Sequence, residues 1–180
     1  MRYVACIGAV AMLIVLGTAA TIWTGLYPVG ADSPHSVVVL EFLTLARERS
    51  IARASRDVSV PKLDLPEHLV AGAADYEAMC AGCHLSPTLS RTDLSLGMYP
   101  QPPDLTRVRS SVSRDSAEES RRRFWIIKHG IKASGMPAWG PTHDDERIWA
   151  MVALLDRLPE LTPQQYRVLT ASSHEATGHH

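Results

Sequence analysis

Between Arg2 and Asp32 the chain carries no charged residue, and from Tyr3 to Trp23 it is almost continuously apolar. That length predicts a membrane-spanning helix, which needs about 20 apolar residues, whereas the apolar part of a secretory signal has about 7–15. Trp23 and Tyr27 stand where an interfacial aromatic belt lies. Thr18-Ala19-Ala20 offers the small residues a signal peptidase requires, so cleavage is the alternative to a retained anchor. Cys6 is read as a small apolar residue within the span.

Asp32-Ser33-Pro34 marks the polar exit from this segment. Beyond it, Val37-Val38-Val39-Leu40 suits a strand by residue type, but Leu43, Ala46, Ile51 and Ala54 alternate with arginines in the manner of an amphipathic helix ending near Val58. Arg47, Arg49, Arg53 and Arg56 make either a solvated face or a docking surface for an acidic partner or anionic lipid. Pro61 and Pro66 break Val60–Pro66 into a linker.

Helical patterns follow at about Ala71–Ala81, at Ser116–Ile131, entered through Asp115 and closed by Gly130, and from Thr142 or His143 to about Leu158. Thr162-Pro163-Gln164-Gln165 carries a cap, a proline at the first helical position and a glutamine three after the cap, so it opens a last short helix. No strand pattern of any strength occurs in this region. The chain therefore divides into an anchor or signal at 1–31, an amphipathic helix and linker at 32–66, an all-α domain at 67–171 and a disordered tail at 172–180. His174, His179 and His180 in that tail could hold a metal only weakly, and a solvated end explains them more simply.

Composition narrows the function. A net charge of -1 over 180 residues removes the electrostatic case for nucleic acid as a partner. Of three cysteines, Cys80 and Cys83 share one motif, Cys80-Ala81-Gly82-Cys83-His84, the C-x-x-C-H pattern of covalent haem attachment. Positions i, i+3 and i+4 share a helical face, so two thiols and an imidazole can address one object. The thiols would add to the porphyrin vinyl groups, and His84 would ligate the iron. A thioredoxin-like redox pair needs a βαβ context, and a zinc site needs a second Cys or His pair at a suitable spacing; neither is present. The irregular stretch Leu85–Arg114, long for a compact domain, is then explained by a cofactor that serves as its core.

A sulfur ligand opposite the histidine raises a haem's reduction potential. Of six methionines, Met1 and Met12 lie in the N-terminal segment, Met79 adjoins Cys80, and Met151 sits mid-helix among core residues. Met98 and Met136 remain. Met136 is the stronger candidate, in the rigid loop Ser134-Gly135-Met136-Pro137-Ala138-Trp139-Gly140. His129 and His143 read as helix-end residues. Phe124, Trp125 and Trp139 read as core, with an electron relay through Trp139 the lesser alternative.

From Gly72 to about Leu158 the chain resembles the class I mono-haem c-type cytochromes, an all-α family, and most closely the membrane-anchored bacterial type. The likeness rests on Cys80–His84, on Pro100-Gln101-Pro102-Pro103-Asp104-Leu105-Thr106 and on Gly135–Gly140. It implies one covalent haem c with His84 and Met136 as axial ligands. It also implies that the Pro103 carbonyl accepts the second ring N–H of His84, that Leu105 packs on the haem face, and that Gly72 and Tyr76 mark a helix crossing with Trp149 as aromatic counterpart. Many relatives have glycine after the ligand histidine; Leu85-Ser86-Pro87 here leaves the following turn undefined.

The expected function is electron transfer between redox partner proteins. The haem domain would stand in the periplasm, tethered to the bacterial cytoplasmic membrane by a linker, Asp32–Pro66, long enough to reach a quinol-oxidising complex, a terminal oxidase or a periplasmic dehydrogenase. A fixed subunit of such a complex is an equal expectation. The competing class is a haem peroxidase or gas sensor with a labile Met136, for which His129 and His143 are the nearby acid–base candidates.

Overall fold

A computed structural model describes residues 2–107 and 116–177, with side chains through residue 171. It separates into two units, 1–34 and 35–180. The first is a single helix, α1 (Arg2–Thr24), none of whose residues is buried within the protein. It is long and apolar enough to cross a membrane. The hydroxyls of Thr18, Thr21 and Thr24 donate to the carbonyls of Ile14, Gly17 and Ala20 four residues back, at 2.9, 2.9 and 2.6 Å. These bonds satisfy inside the helix the polar groups that an apolar medium would leave unpaired.

The second unit begins with α2 (Val37–Ala54). The β-branched run at Val37–Val39 is helical, as the first turn of a longer helix whose Ile51 is buried. Ile51 and Ser55 are buried. Two turns from the end of the helix, Glu48 meets the buried Arg122 at 2.5 Å. That ion pair fixes α2 against α6 (Ser116–His129), so α2 belongs to the helical domain and the expected long tether is shortened at its C-terminal side.

The core is built where α3 (Pro66–Met79) crosses α7 (Asp145–Arg157). Pro66 occupies the first helical position, where its missing N–H costs nothing, so the expected linker ends in the helix and α3 starts earlier than its apolar pattern predicts. Gly72 lies at the crossing. A Cβ there would overlap the carbonyl oxygen of Ala150 and lie 2.6 Å from its carbon and 3.1 Å from Met151 N, so only glycine admits this approach. Asp144 caps α7 by accepting from Arg147 N at 2.9 Å, and every residue from Ile148 to Leu155 is buried.

Trp149 stacks on Phe124 of α6, with centroids 4.2 Å apart and planes at 17°. Across the core, Tyr76 meets Tyr166 of α8 (Pro163–Thr177) edge-on, with centroids 6.5 Å apart. The α8 cap forms as its sequence predicts: Gln165 N donates to Thr162 Oγ1 at 3.2 Å, and Thr162 N donates to Gln165 Oε1 at 2.9 Å. The helix is longer than expected. It continues through Thr177, into the segment read from sequence as a disordered tail. Asp115, the expected entry to α6, and His179 and His180 lie outside the described residues, and at His174 only the backbone is described. Among the described residues there is no strand, only an isolated bridge between Ser86 and Leu89.

Candidate haem site

Cys80 ends α3 and opens a further turn, α4 (Ala81–His84). Cys83 N and His84 N both donate to Cys80 O, at 3.0 and 2.8 Å, so the three chemical residues ride one helical turn. Among the described residues no three His, Cys, Asp or Glu side chains converge as a metal ion would require. Cys80, Cys83 and His84 form no such group. They suit attachment to a broad planar group at separate points. Burial, with the charges of Asp75 and Cys83, pushes the Cys80 thiol up to about 12. A thiol so held is a poor thiolate, contrary to the needs of a disulfide-exchange pair.

His84 is oriented from behind. Its Nδ1 lies 2.9 Å from the carbonyl oxygen of Pro103. A carbonyl can only accept, so Nδ1 carries the proton and Nε2 keeps the lone pair. Burial lowers the His84 pKa while the bond to Pro103 works the other way; the net effect favours the neutral imidazole that metal ligation needs. The Pro103 carbonyl is itself held by the turn that follows. Asp104 Oδ1 accepts from Thr106 N and Oγ1 at 3.0 and 2.6 Å, and Asp104 Oδ2 pairs with Arg107 Nε at 2.9 Å. Leu105 N donates to His84 O at 3.2 Å, and the Leu105 side chain packs against the core.

The turn after His84 takes the backbone shape of a glycine despite holding a leucine. Leu85 has φ 67° and ψ 175°, a region nearly confined to glycine. Tyr76 Oη donates to Leu85 O at 2.6 Å. Ser86 and Leu89 exchange backbone bonds at 3.1 and 2.9 Å. Thr92 Oγ1 donates to Gly82 O at 2.7 Å and accepts from Ser95 N at 2.9 Å, which ties α5 (Asp93–Gly97) to the attachment turn. On that short helix Leu94 and Leu96 are 58% and 49% exposed, apolar surface beside the motif of the kind a macrocycle would cover.

Met136 is placed by the end of α6. Gly130 closes that helix at φ 65°, and a Cβ there would lie 2.7 Å from the Pro137 carbonyl carbon and 2.8 Å from Met136 O. The loop can therefore approach the helix end only because the residue is glycine. Ile131 N donates to Met136 O at 3.2 Å, Met136 N to Ser134 Oγ at 3.2 Å, and Trp139 N to Ile127 O at 3.1 Å. Met136, Leu105 and Cys80 all border the same apolar cluster, so the structure brings these sequence-predicted residues around one core. Met98 lies close by, its Cε against Gly135. His129 sits under Trp125 at 4.9 Å, and His143 meets Trp139 edge-on at 5.4 Å while sharing a 2.8 Å bond with Thr142.

Sequence reasoning missed Tyr76 as a brace for the turn, the Thr92 link to Gly82, and Gly130 as the seat of the methionine loop. Asp104-Leu105-Thr106 does carry a local signal, since an aspartate two residues before a threonine suits this kind of turn.

A family model described as cytochrome c oxidase, cbb3-type, subunit III matches residues 67–155. No curated protein matches the chain. The matched span begins at the second residue of α3 and ends within α7, taking in the attachment turn, the Pro103 turn and the Met136 loop. Through this all-helical domain the chain belongs to the class I c-type cytochromes, whose work is haem-based electron transfer.

Proposed function

We propose that the domain carries electrons through one covalently bound haem c, as a membrane-tethered periplasmic carrier or as the cytochrome subunit of a respiratory or dehydrogenase complex. Cys80 and Cys83 hold the porphyrin through thioethers, and His84 Nε2 and Met136 Sδ ligate the iron. The observation that carries this reading is the bond from His84 Nδ1 to Pro103 O, which leaves the lone pair on Nε2. When bound, the haem supplies a one-electron couple at its iron.

The chain's own residues supply position and environment. Pro103 fixes the imidazole's tautomer, Leu105 offers apolar contact, and the Ser134–Gly140 loop presents the thioether. Ligation by both His84 and Met136 would leave the iron no open position, which favours a carrier over a catalyst. Helix α1 supports the membrane tether by its length and composition. The matching family is that of a terminal-oxidase subunit, which supports a place beside such a complex.

The test is a visible spectrum of the holoprotein, oxidised, reduced, and reduced under carbon monoxide. The expected result is a low-spin c-type spectrum that carbon monoxide leaves unchanged, with a methionine–iron band that Met136→Ala abolishes. High-spin features or ready carbon monoxide binding would overturn the closed site and favour a peroxidase or sensor with a labile methionine.

A further inference from the structure

Helix α2 carries two neighbouring stripes at three- and four-residue spacing, about 120° apart round the axis. On one, Glu41, Thr44, Glu48, Ile51 and Ser55 follow each other. Its later members face the domain: Ile51 and Ser55 are buried, and Glu48 is paired with Arg122. On the other lie Val38, Phe42 and Leu45, then Arg49 and Arg53. The three apolar residues are 78%, 69% and 56% exposed, and both arginines are exposed. Both acidic residues of α2, Glu41 and Glu48, fall on the domain-facing stripe, so the outward one is purely apolar and then purely basic.

We propose that the outward stripe of α2 lies on an anionic lipid surface, with Val38, Phe42 and Leu45 bedded at the acyl boundary and Arg49 and Arg53 at the headgroups. The inference rests on the reading of α1 as a membrane anchor. Three observations select lipid as the occupant. The segment between α1 and α2, residues 25–36, spans at most about 40 Å even when fully extended, so the start of α2 cannot leave the neighbourhood of the bilayer. The exposed apolar residues of α2, from Val37 to Leu45, also all lie in its N-terminal half, the end that the short connecting segment holds nearest the anchor. Arginine stems extend apolar surface while their guanidinium groups meet phosphate, and juxtamembrane basic residues are drawn to anionic headgroups. The consequence is a haem domain with a set orientation over the membrane, because the C-terminal half of α2 is fixed to α6.

The experiment uses the full-length holoprotein in phosphatidylethanolamine vesicles, with and without phosphatidylglycerol. Cys6→Ala removes the reactive thiol of α1, since Cys80 and Cys83 are taken up as thioethers. Spin labels are then placed one at a time by Val38→Cys, Phe42→Cys and Leu45→Cys, with Val15→Cys as the reference within α1 and Gln164→Cys as the aqueous reference. Accessibility to molecular oxygen is compared with accessibility to a water-soluble nickel chelate.

The oxygen-to-nickel ratio at positions 38, 42 and 45 is expected to stand several-fold above that at 164 when phosphatidylglycerol is present. It should fall toward the aqueous value when Arg49→Glu and Arg53→Glu are combined. A ratio at 42 equal to that at 164, with position 15 still lipid-exposed, overturns the inference and leaves the anchor standing. A water-exposed position 15 overturns the anchor instead. Labels at 38, 42 and 45 shielded from both reagents would show a protein covering the stripe, a second copy or another subunit, and would also overturn the proposal.

Discussion

The left-handed backbone at Leu85 inverts the usual ranking of alanine and glycine, and this can be measured. At φ 67° and ψ 175° a residue with a Cβ carries about 1–3 kcal/mol of strain. Leu85→Ala keeps the Cβ, and so the strain, and loses a half-buried side chain. Full burial of a leucine contributes about 1.5–3 kcal/mol, so this loss is about 1 kcal/mol. Leu85→Gly loses the same side chain but sheds the strain, at a cost of about 0.4–1 kcal/mol in freedom gained by the unfolded chain.

Leu85→Gly should therefore match the wild type within about 1 kcal/mol and exceed Leu85→Ala by about 1 kcal/mol, roughly 3 °C in midpoint for a unit of this size. The assay is thermal unfolding of the holoprotein in detergent, followed by the far-ultraviolet signal of its helices. At an ordinary helical or extended position, glycine is the less stable of the two by about 0.5–1 kcal/mol. A Leu85→Gly variant that unfolds below Leu85→Ala would refute the left-handed turn, and with it the account of how Tyr76 and Leu85 shape the exit from the attachment helix.

Two further outcomes follow from the same geometry. Gly72→Ala gains about 1 kcal/mol of helix propensity but places a Cβ against the backbone of Ala150, which cannot rotate away; overlap with backbone puts the overpacking cost at the upper end of its range, about 3 kcal/mol, so denaturant unfolding should show net destabilisation of about 2 kcal/mol, and an unchanged midpoint would mean that α3 and α7 do not meet there. At Asp104, burial raises the pKa, but the hydrogen bonds of Thr106 and the charge of Arg107 outweigh it and hold the carboxylate below its ordinary 3.8. A depressed carboxylate stabilises the fold above its unfolded pKa and loses that contribution as pH falls through the folded one. The stability difference between wild type and Asp104→Asn should accordingly be flat above about pH 4 and shrink below it, and a difference that grows on acidification would contradict the assignment.

What the sequence disclosed was what short-range physics determines. The turn Cys80–His84, the Thr162–Gln165 cap and the closure of α6 at Gly130 depend on residues within one helical turn, and each was legible. The beginning of α3 was misplaced because the two prolines read as a break, although Pro66 is tolerated at a first helical position. The contact of Tyr76 with Tyr166 is decided by how α8 folds back, which no local pattern records. The turn at Leu85 could not be read locally, because leucine does not prefer that conformation. It is imposed from outside by the Tyr76 hydroxyl and by the bridge between Ser86 and Leu89. The pairing of Glu48 with Arg122 joins residues far apart in sequence, and neither carries a pattern that names the other.

That ion pair also bears on whether the domain is a roaming carrier or a fixed subunit. A carrier serving two distant complexes would need the whole Asp32–Pro66 segment as free tether. Detaching α2 would expose Ile51, at a cost of about 2 kcal/mol, and would lose the partly exposed Glu48–Arg122 pair, worth about 1 kcal/mol. Together these favour the docked helix by a factor on the order of 100, so the free segment is confined to residues 25–36. Under the proposed membrane tether, a reach of about 40 Å would suit a donor and an acceptor that stand next to each other at one membrane.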